Sequence, residues 1–271
     1  MIMRGPSAEA LANLEQQLEG AIAGVGTRKA AQVGDDLFGL AVVLRSTPSL
    51  RRILTDVSIE GPAKQQLVRE IFGEMVDAIS LDLAATAVAQ RWTATRDLAD
   101  VIEHLSEISI VHSAGENIDR VVDELFAVAE LVSGSPELRD ALSDPSRSVD
   151  DKVVLVDGLL AGKVLAATVT LVKQSLAGSY RTMAVALATY QRVAARVRQQ
   201  RVATVVVAAP LSEAEKARLG AALTRQYGHE VHLNIQVDPE LIGGVRVEIG
   251  DDVIDGSVVN RLAEARRRLA G

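Results

Sequence analysis

Residues 35–56 read DDLFGLAVVLRSTPSLRRILTD, and residues 123–144 read DELFAVAELVSGSPELRDALSD. The second stretch follows the first by 88 positions and aligns without a gap. Pro48 falls on Pro136, Leu54 on Leu142 and Asp56 on Asp144. Just beyond, Lys64 falls on Lys152 and Val68 on Val156, and weaker matches continue through Leu83/Leu171 and Trp92/Tyr180. Helices rich in alanine and leucine resemble one another by composition alone. Matched prolines, aspartates and a lysine are not demanded by helix formation, so the repeat predicts two tandem helical bundles.

Working outward, apolar residues recur at three- and four-residue spacing as far as residue 200. The pattern predicts helices over 7–24, 28–45, 48–55, 61–78, 80–92, 96–112, 117–133, 136–143, 149–161, 164–178 and 182–200. Gly26, Pro48, Gly61-Pro62, Gly115, Gly134, Pro136 and Pro145 mark the breaks. The helix over 96–112 closes the first bundle and is expected to open the second. Beyond Arg201 the period becomes two: VATVVVAA, then Leu233/Ile235/Val237, then Val245/Val247/Ile249, with Val253-Ile254 as a short fourth strand. Ser212 and Glu215 form a capping box for a helix reaching about Tyr227, and Ser257 is placed to cap a final helix.

The expected fold is therefore mainly α with a small α+β C-terminal domain: two tandem helical bundles followed by a β-α-β-β-β-α domain. The boundaries are 1–115 for the N-terminal bundle, 116–201 for the repeated bundle and 202–271 for the α+β domain.

Composition narrows the function. Of the 271 residues 48% are hydrophobic but only 3% aromatic, so small aliphatic side chains must fill the cores. The net charge of −7 makes the chain a poor binder of nucleic acid. Cysteine is absent, which excludes disulfides, thiol catalysis and thiolate-held metals. The opening MIMRGPSAEALANLEQQLEG becomes polar too soon for a signal peptide, and no apolar run reaches the ~18 residues a membrane span needs.

The most chemistry-like stretch is DPELIGGVRVEIGDDVIDGSVVNRL, residues 238–262. Gly250-Asp251-Asp252 resembles the metal-holding turn of polymerase palms, but that chemistry would need further carboxylates and a basic channel, and the domain is too small for it. Gly243-Gly244 lead into a strand rather than a helix, which is wrong for a phosphate loop and right for a bulge or close approach. His229-Glu230-Val231-His232 lacks the spacing that puts two imidazoles on one helical face, and His104 and His112 are expected at the surface or at a helix cap. Arg192, Arg196, Arg198 and Arg201 end one helix and Arg266–Arg268 another, where cations complement the dipole. These residues carry no catalytic site.

Val231-x-Leu233, Val237-Asp238, Leu241, Gly243-Gly244, Val247 and Gly250 together resemble the signature of the delta-subunit family of bacterial rotary ATP synthases. The same family includes the mitochondrial oligomycin-sensitivity-conferring protein. VIDGSVVNRLAEARRRL resembles that family's ending, with Asp255-Gly256-Ser257 before the last helix. The duplicated LRSTPSLRRILTD region resembles the enlarged mycobacterial form, in which delta is fused behind a b-type stalk subunit; that fusion would place a membrane helix upstream of Met1.

The resemblance implies a non-catalytic stator component with no cofactor, metal or catalytic residue. Asp238, Leu241, Gly243, Gly244, Gly250, Asp255, Gly256 and Ser257 would be structural markers. The implied partners are the N-terminal helices of alpha subunits, held by the N-terminal bundle, and the C-terminal helix of the b stalk, held by the α+β domain. No nucleic acid or direct membrane insertion is implied, and the location would be the cytoplasmic face of the plasma membrane. By the same reading the repeat would add a second site for an alpha N-terminus. The alternatives from other classes are a helical adaptor unrelated to bioenergetics and an enzyme using the carboxylate-rich turns.

Overall fold

The computed structural model describes residues 3–200, 202–227, 231–238, 241, 243–249 and 252–255. It divides into two compact units, Met1–Ala195 and Arg196–Gly271.

The first unit contains helices α1 (Pro6–Ile22), α2 (Thr27–Ser46), α3 (Pro48–Thr55), α4 (Gly61–Phe72), α5 (Ala78–Ala89) and α6 (Asp97–His112). It continues through α7 (Ile118–Gly134), α8 (Pro136–Ser143), α9 (Val149–Leu160) and α10 (Ala166–Gln174), and the unit boundary falls within α11 (Met183–Gln200). Pro48 and Pro136 each occupy a first helical turn, where a missing N–H goes unnoticed. Two helices, α4 and α10, are shorter than periodicity predicts by a turn or more. Gly73 is the C-cap of α4, its N–H donating to the Arg69 carbonyl so closely that a Cβ there would collide with that oxygen, and α5 restarts only after Asp77, which accepts a capping bond from the Ile79 N–H. After Gln174 the chain tightens into bonds from Leu176 N–H to Lys173 O (3.0 Å) and Ala177 N–H to Gln174 O (3.1 Å), ending α10 early.

The repeat is present in three dimensions down to single hydrogen bonds. After α3, the Ser58 N–H and hydroxyl donate to Asp56 Oδ1 at 2.8 and 2.7 Å; after α8, Ser146 does the same to Asp144 Oδ1 at 2.8 and 2.7 Å. Asp36 on α2 accepts from the Asp77 N–H (2.8 Å) and the Ser80 hydroxyl (3.0 Å). Its counterpart Glu124 on α7 accepts from the Leu165 N–H (2.9 Å) and the Thr168 hydroxyl (2.6 Å). In both repeats a carboxylate of one helix thus caps the N-terminus of another, satisfying donors that the helix itself cannot. Leu37 and Leu125, one residue further on, are buried in their respective cores. We predict that Asp36→Ala and Glu124→Ala each lower unfolding free energy by about 1–2 kcal/mol. Denaturant titration checks this, and a loss at only one of the two positions would contradict equivalence of the repeats.

Both repeats meet on α6. It packs against α1, α2, α3 and α5 on one side and against α7 and α10 on the other. From Asp97 to Val111 every residue but Asp100 is buried. A helix with a single apolar stripe cannot satisfy both neighbours. The polar residues between the stripes are therefore buried too, and must be paired.

The second unit is described by itself. Its sheet comprises β1 (Val202–Val207), β2 (His232–Val237), β3 (Val245–Ile249) and β4 (Asp252–Asp255), with α12 (Glu213–Tyr227) between β1 and β2. The strand order is β2-β1-β3-β4; β1 and β2 are parallel, the other pairs antiparallel. The parallel pair needs a crossover, which α12 supplies. Ser212 and Glu215 form the expected reciprocal box at its start: Glu215 N–H donates to Ser212 Oγ (3.3 Å), and Ser212 N–H donates to Glu215 Oε2 (2.8 Å). Ala203, Val205, Val207, Val247 and Ile249 form the core face, closed by Leu223 and Val231. The register puts Thr204 beside Asn234 and Glu248, and Val206 beside Gln236 and Arg246, on the opposite face. The expected final helix after Ser257 lies outside the described residues.

Candidate functional site

The signature residues shape the approach to β3. Asp238 N–H donates to Val207 O (2.9 Å), carrying the β1–β2 ladder one residue past the strand. Leu241 N–H then donates to Asp238 O (3.1 Å) and Gly243 N–H to Leu241 O (2.8 Å), so the chain reverses tightly. Gly243 and Gly244 have φ of 84° and 90°, a region side chains rarely adopt, and this is why two glycines stand there. Asp255 ends β4 opposite Arg246. Gly250, Gly256 and Ser257 lie outside the described residues. Of the GDD triplet, Asp252 is described: it opens β4, is exposed, and accepts a bond from the Tyr227 hydroxyl (3.2 Å). Among the described residues, no group of three or more His, Cys, Asp or Glu is arranged to hold a metal ion. No helix among them is long and apolar enough to cross a membrane.

The richest polar chemistry lies along α6, the helix expected to close the first bundle and open the second. His104 is 7% exposed, which corrects the expectation of a surface or cap position. One ring nitrogen, Nε2, is 3.0 Å from Glu15 Oε1 on α1, and Nδ1 is 3.0 Å from Glu107 Oε2 one turn further along. Burial alone would lower its pKa, but the hydrogen bonds it makes to the Glu107 and Glu15 carboxylates outweigh that and raise it from 6.5 to about 9. The ring is therefore a cation donating from both nitrogens at neutral pH.

Glu107 also accepts from the Tyr180 hydroxyl (2.6 Å), whose own ionisation is pushed far up by burial and then by Glu107. Glu103 accepts from Arg45 Nη1 on α2 (2.5 Å) and from the Ser179 N–H (2.9 and 3.1 Å to its two oxygens). Burial raises the Glu103 pKa, while the Ser179 and Arg45 bonds oppose that rise. Ser106 donates to the Gly34 carbonyl on α2 (2.6 Å) and accepts from Gln174 Nε2 on α10 (3.2 Å). Ser109 donates to the Ala30 carbonyl (2.8 Å). The network binds and orients helices.

Several large apolar side chains remain uncovered: Val57 (80% exposed) and Met75 (63%) in the first repeat, Phe126 (60%) and Val154 (70%) in the second. Val43 and Leu131, 88 positions apart, are both uncovered. An open hollow of about 510 Å³ is lined by Glu137, Asp140, Ala141, Ser143, Asp144 and Arg147 around the end of α8.

A family model described as the ATP synthase delta (OSCP) subunit matches residues 108–269, from within α6 through the second repeat into the α+β unit. ATP synthase subunit delta of Nocardioides sp. is 54% identical over 99% of this chain and 98% of its own length. The delta subunits of Kineococcus radiotolerans (41% identical, 98% of each chain) and Thermobifida fusca (38% identical, 99% of this chain and 100% of its own) are similar end to end. A solved chain of the Toxoplasma gondii mitochondrial ATP synthase hexamer is 22% identical, covering 61% of this chain and 95% of its own, with a TM-score of 0.32, too low to build on.

Proposed function

The chain belongs to the ATP synthase delta (OSCP) subunit family, and on that premise we propose that it is the peripheral-stalk subunit that links the catalytic alpha/beta hexamer to the b stalk. It is a non-catalytic subunit of a multi-chain complex. The observation that carries this reading is similarity to delta subunits along the whole chain, both repeats included. The work is mechanical. Rotor torque drives conformational change in the hexamer only while the hexamer is kept from turning with the rotor.

In this reading residues 1–115 and 116–201 are two repeats and 202–271 a separate domain. The helical part holds N-terminal helices of alpha subunits, and the α+β domain holds the C-terminal helix of b, at the cytoplasmic face of the membrane. Asp238, Leu241, Gly243, Gly244, Gly250, Asp255, Gly256 and Ser257 shape the α+β domain. A helix docks by setting a few apolar anchors into uncovered apolar surface, with charged neighbours fixing the register. Phe126 and Val57 supply such surface, one in each repeat. Occupation of both repeats would raise the effective concentration of the second contact once the first is made.

The test is photo-crosslinking in the assembled enzyme from Phe126, Val57 and Val253. We expect alpha-subunit products from the first two positions and b-subunit products from the third. Absence of both partners from all three positions would overturn the linking role, and alpha products from one repeat alone would overturn double occupancy.

A further inference from the structure

We propose that the segment joining α10 to α11, residues 175–182, is a latch that fastens the second repeat onto α6 and makes the two repeats one mechanical body. Three relays cross α6 from the first repeat to the second. Arg45 on α2 binds Glu103, which holds the Ser179 N–H. Glu15 on α1 binds His104, which binds Glu107, which holds the Tyr180 hydroxyl. The Gly34 carbonyl on α2 binds Ser106, which accepts from Gln174 at the end of α10. All three arrive at or beside the same short segment.

Apolar contact alone resists separation but is poor at resisting sliding, because it has little direction. Hydrogen bonds to buried charges are short and directional, so they resist both. The segment also lies hard against α6: a Cβ at Gly178 would collide with Glu103 Oε1. Tyr180 is then braced edge-on against the buried Tyr190 ring of α11, centroids 5.8 Å apart at 88°. The corresponding turn of the first repeat has its own bonds, Trp92 Nε1 donating to Ala87 O (3.0 Å) and the Thr93 N–H donating to Ser7 Oγ (2.8 Å). Glu15 and Glu19 sit 88 positions before Glu103 and Glu107. Both repeats thus carry the pair of acids, and burial on the shared helix turns the second pair into a latch.

The test is hydrogen exchange by mass spectrometry on the full chain carrying Gly178→Ala and Tyr180→Phe. Both changes lie in the segment and leave every residue of the first repeat intact. We expect amides of α7 to α10 to exchange at least about tenfold faster while those of α1, α2 and α5 stay within about twofold of wild type. Tyr180→Phe alone, which removes one hydrogen bond, should give the same pattern at a few-fold. Equal acceleration in both repeats, or none in either, overturns the latch, and either result leaves the stalk role untouched.

Discussion

Replacing His104 by alanine should lower the unfolding free energy by about 3–5 kcal/mol, the size expected when one partner of a buried ion pair is removed. The side chain of Glu107 is fully enclosed, and without the imidazolium its Oε2 loses its partner while Tyr180 still serves Oε1. Glu15 is less affected, because its side chain is 22% exposed and water reaches it. Urea titration of both proteins at pH 7 measures the difference, and a loss under about 1 kcal/mol would show that Glu107 does not depend on this cation. The pH dependence has a definite sign. The folded pKa of about 9 lies above the ordinary 6.5, so the stabilisation is full below about pH 6.5 and is lost as pH rises through 9. That amounts to about 3 kcal/mol. The stability gap between wild type and His104→Gln should therefore shrink between pH 6.5 and 9.5, and a gap that stayed level over that window would mean the ring is already neutral in the folded protein.

Gly34→Val should destabilise by about 2–4 kcal/mol, above the usual range for a single added methylene because two branches are forced into a closed site. Gly34 lies on α2 where that helix meets α6, and the Gly34 carbonyl accepts the Ser106 hydroxyl. A Cβ there would sit 2.5 Å from Ile110 Cδ1, 2.6 Å from Cγ1 and 3.2 Å from the Ile110 backbone nitrogen. Ile110 is 1% exposed and has nowhere to retreat, so α2 must move off α6. Gly39, five residues along the same helix, has nothing within 4 Å of its virtual Cβ and is exposed. Gly39→Ala should stabilise by about 0.5–1 kcal/mol through helix propensity and the restricted unfolded chain. Thermal melts of the two variants should shift in opposite directions, and shifts of the same sign would refute the close approach at Gly34.

The sequence by itself determined where helices and strands lie, because periodicity, prolines and capping residues act within a few positions of one another. The predicted α3 and α8 coincide with Pro48–Thr55 and Pro136–Ser143, and the α+β order is as expected as far as Asp255. The repeat was legible for the same reason: an 88-residue offset preserves Pro48/Pro136 and Asp56/Asp144 whatever the packing around them. The Asp36/Glu124 caps were also within reach, since Ser80 and Thr168 stand at the same offset.

Only the tertiary structure decided what becomes of the polar face of α6. His104 read as a surface or cap residue because a single helix exposes its polar side to water, and Glu103 and Glu107 were not singled out at all. One signal pointed the other way: Ile102 and Ile110 stand 88 positions after Leu14 and Ile22, which places α6 in the role of α1 for the second repeat. A helix that serves two bundles has no outside. Burial is a property of what a neighbour covers, not of the residue covered, and so these charges were drawn into the interior of the helical unit by packing that local pattern does not encode.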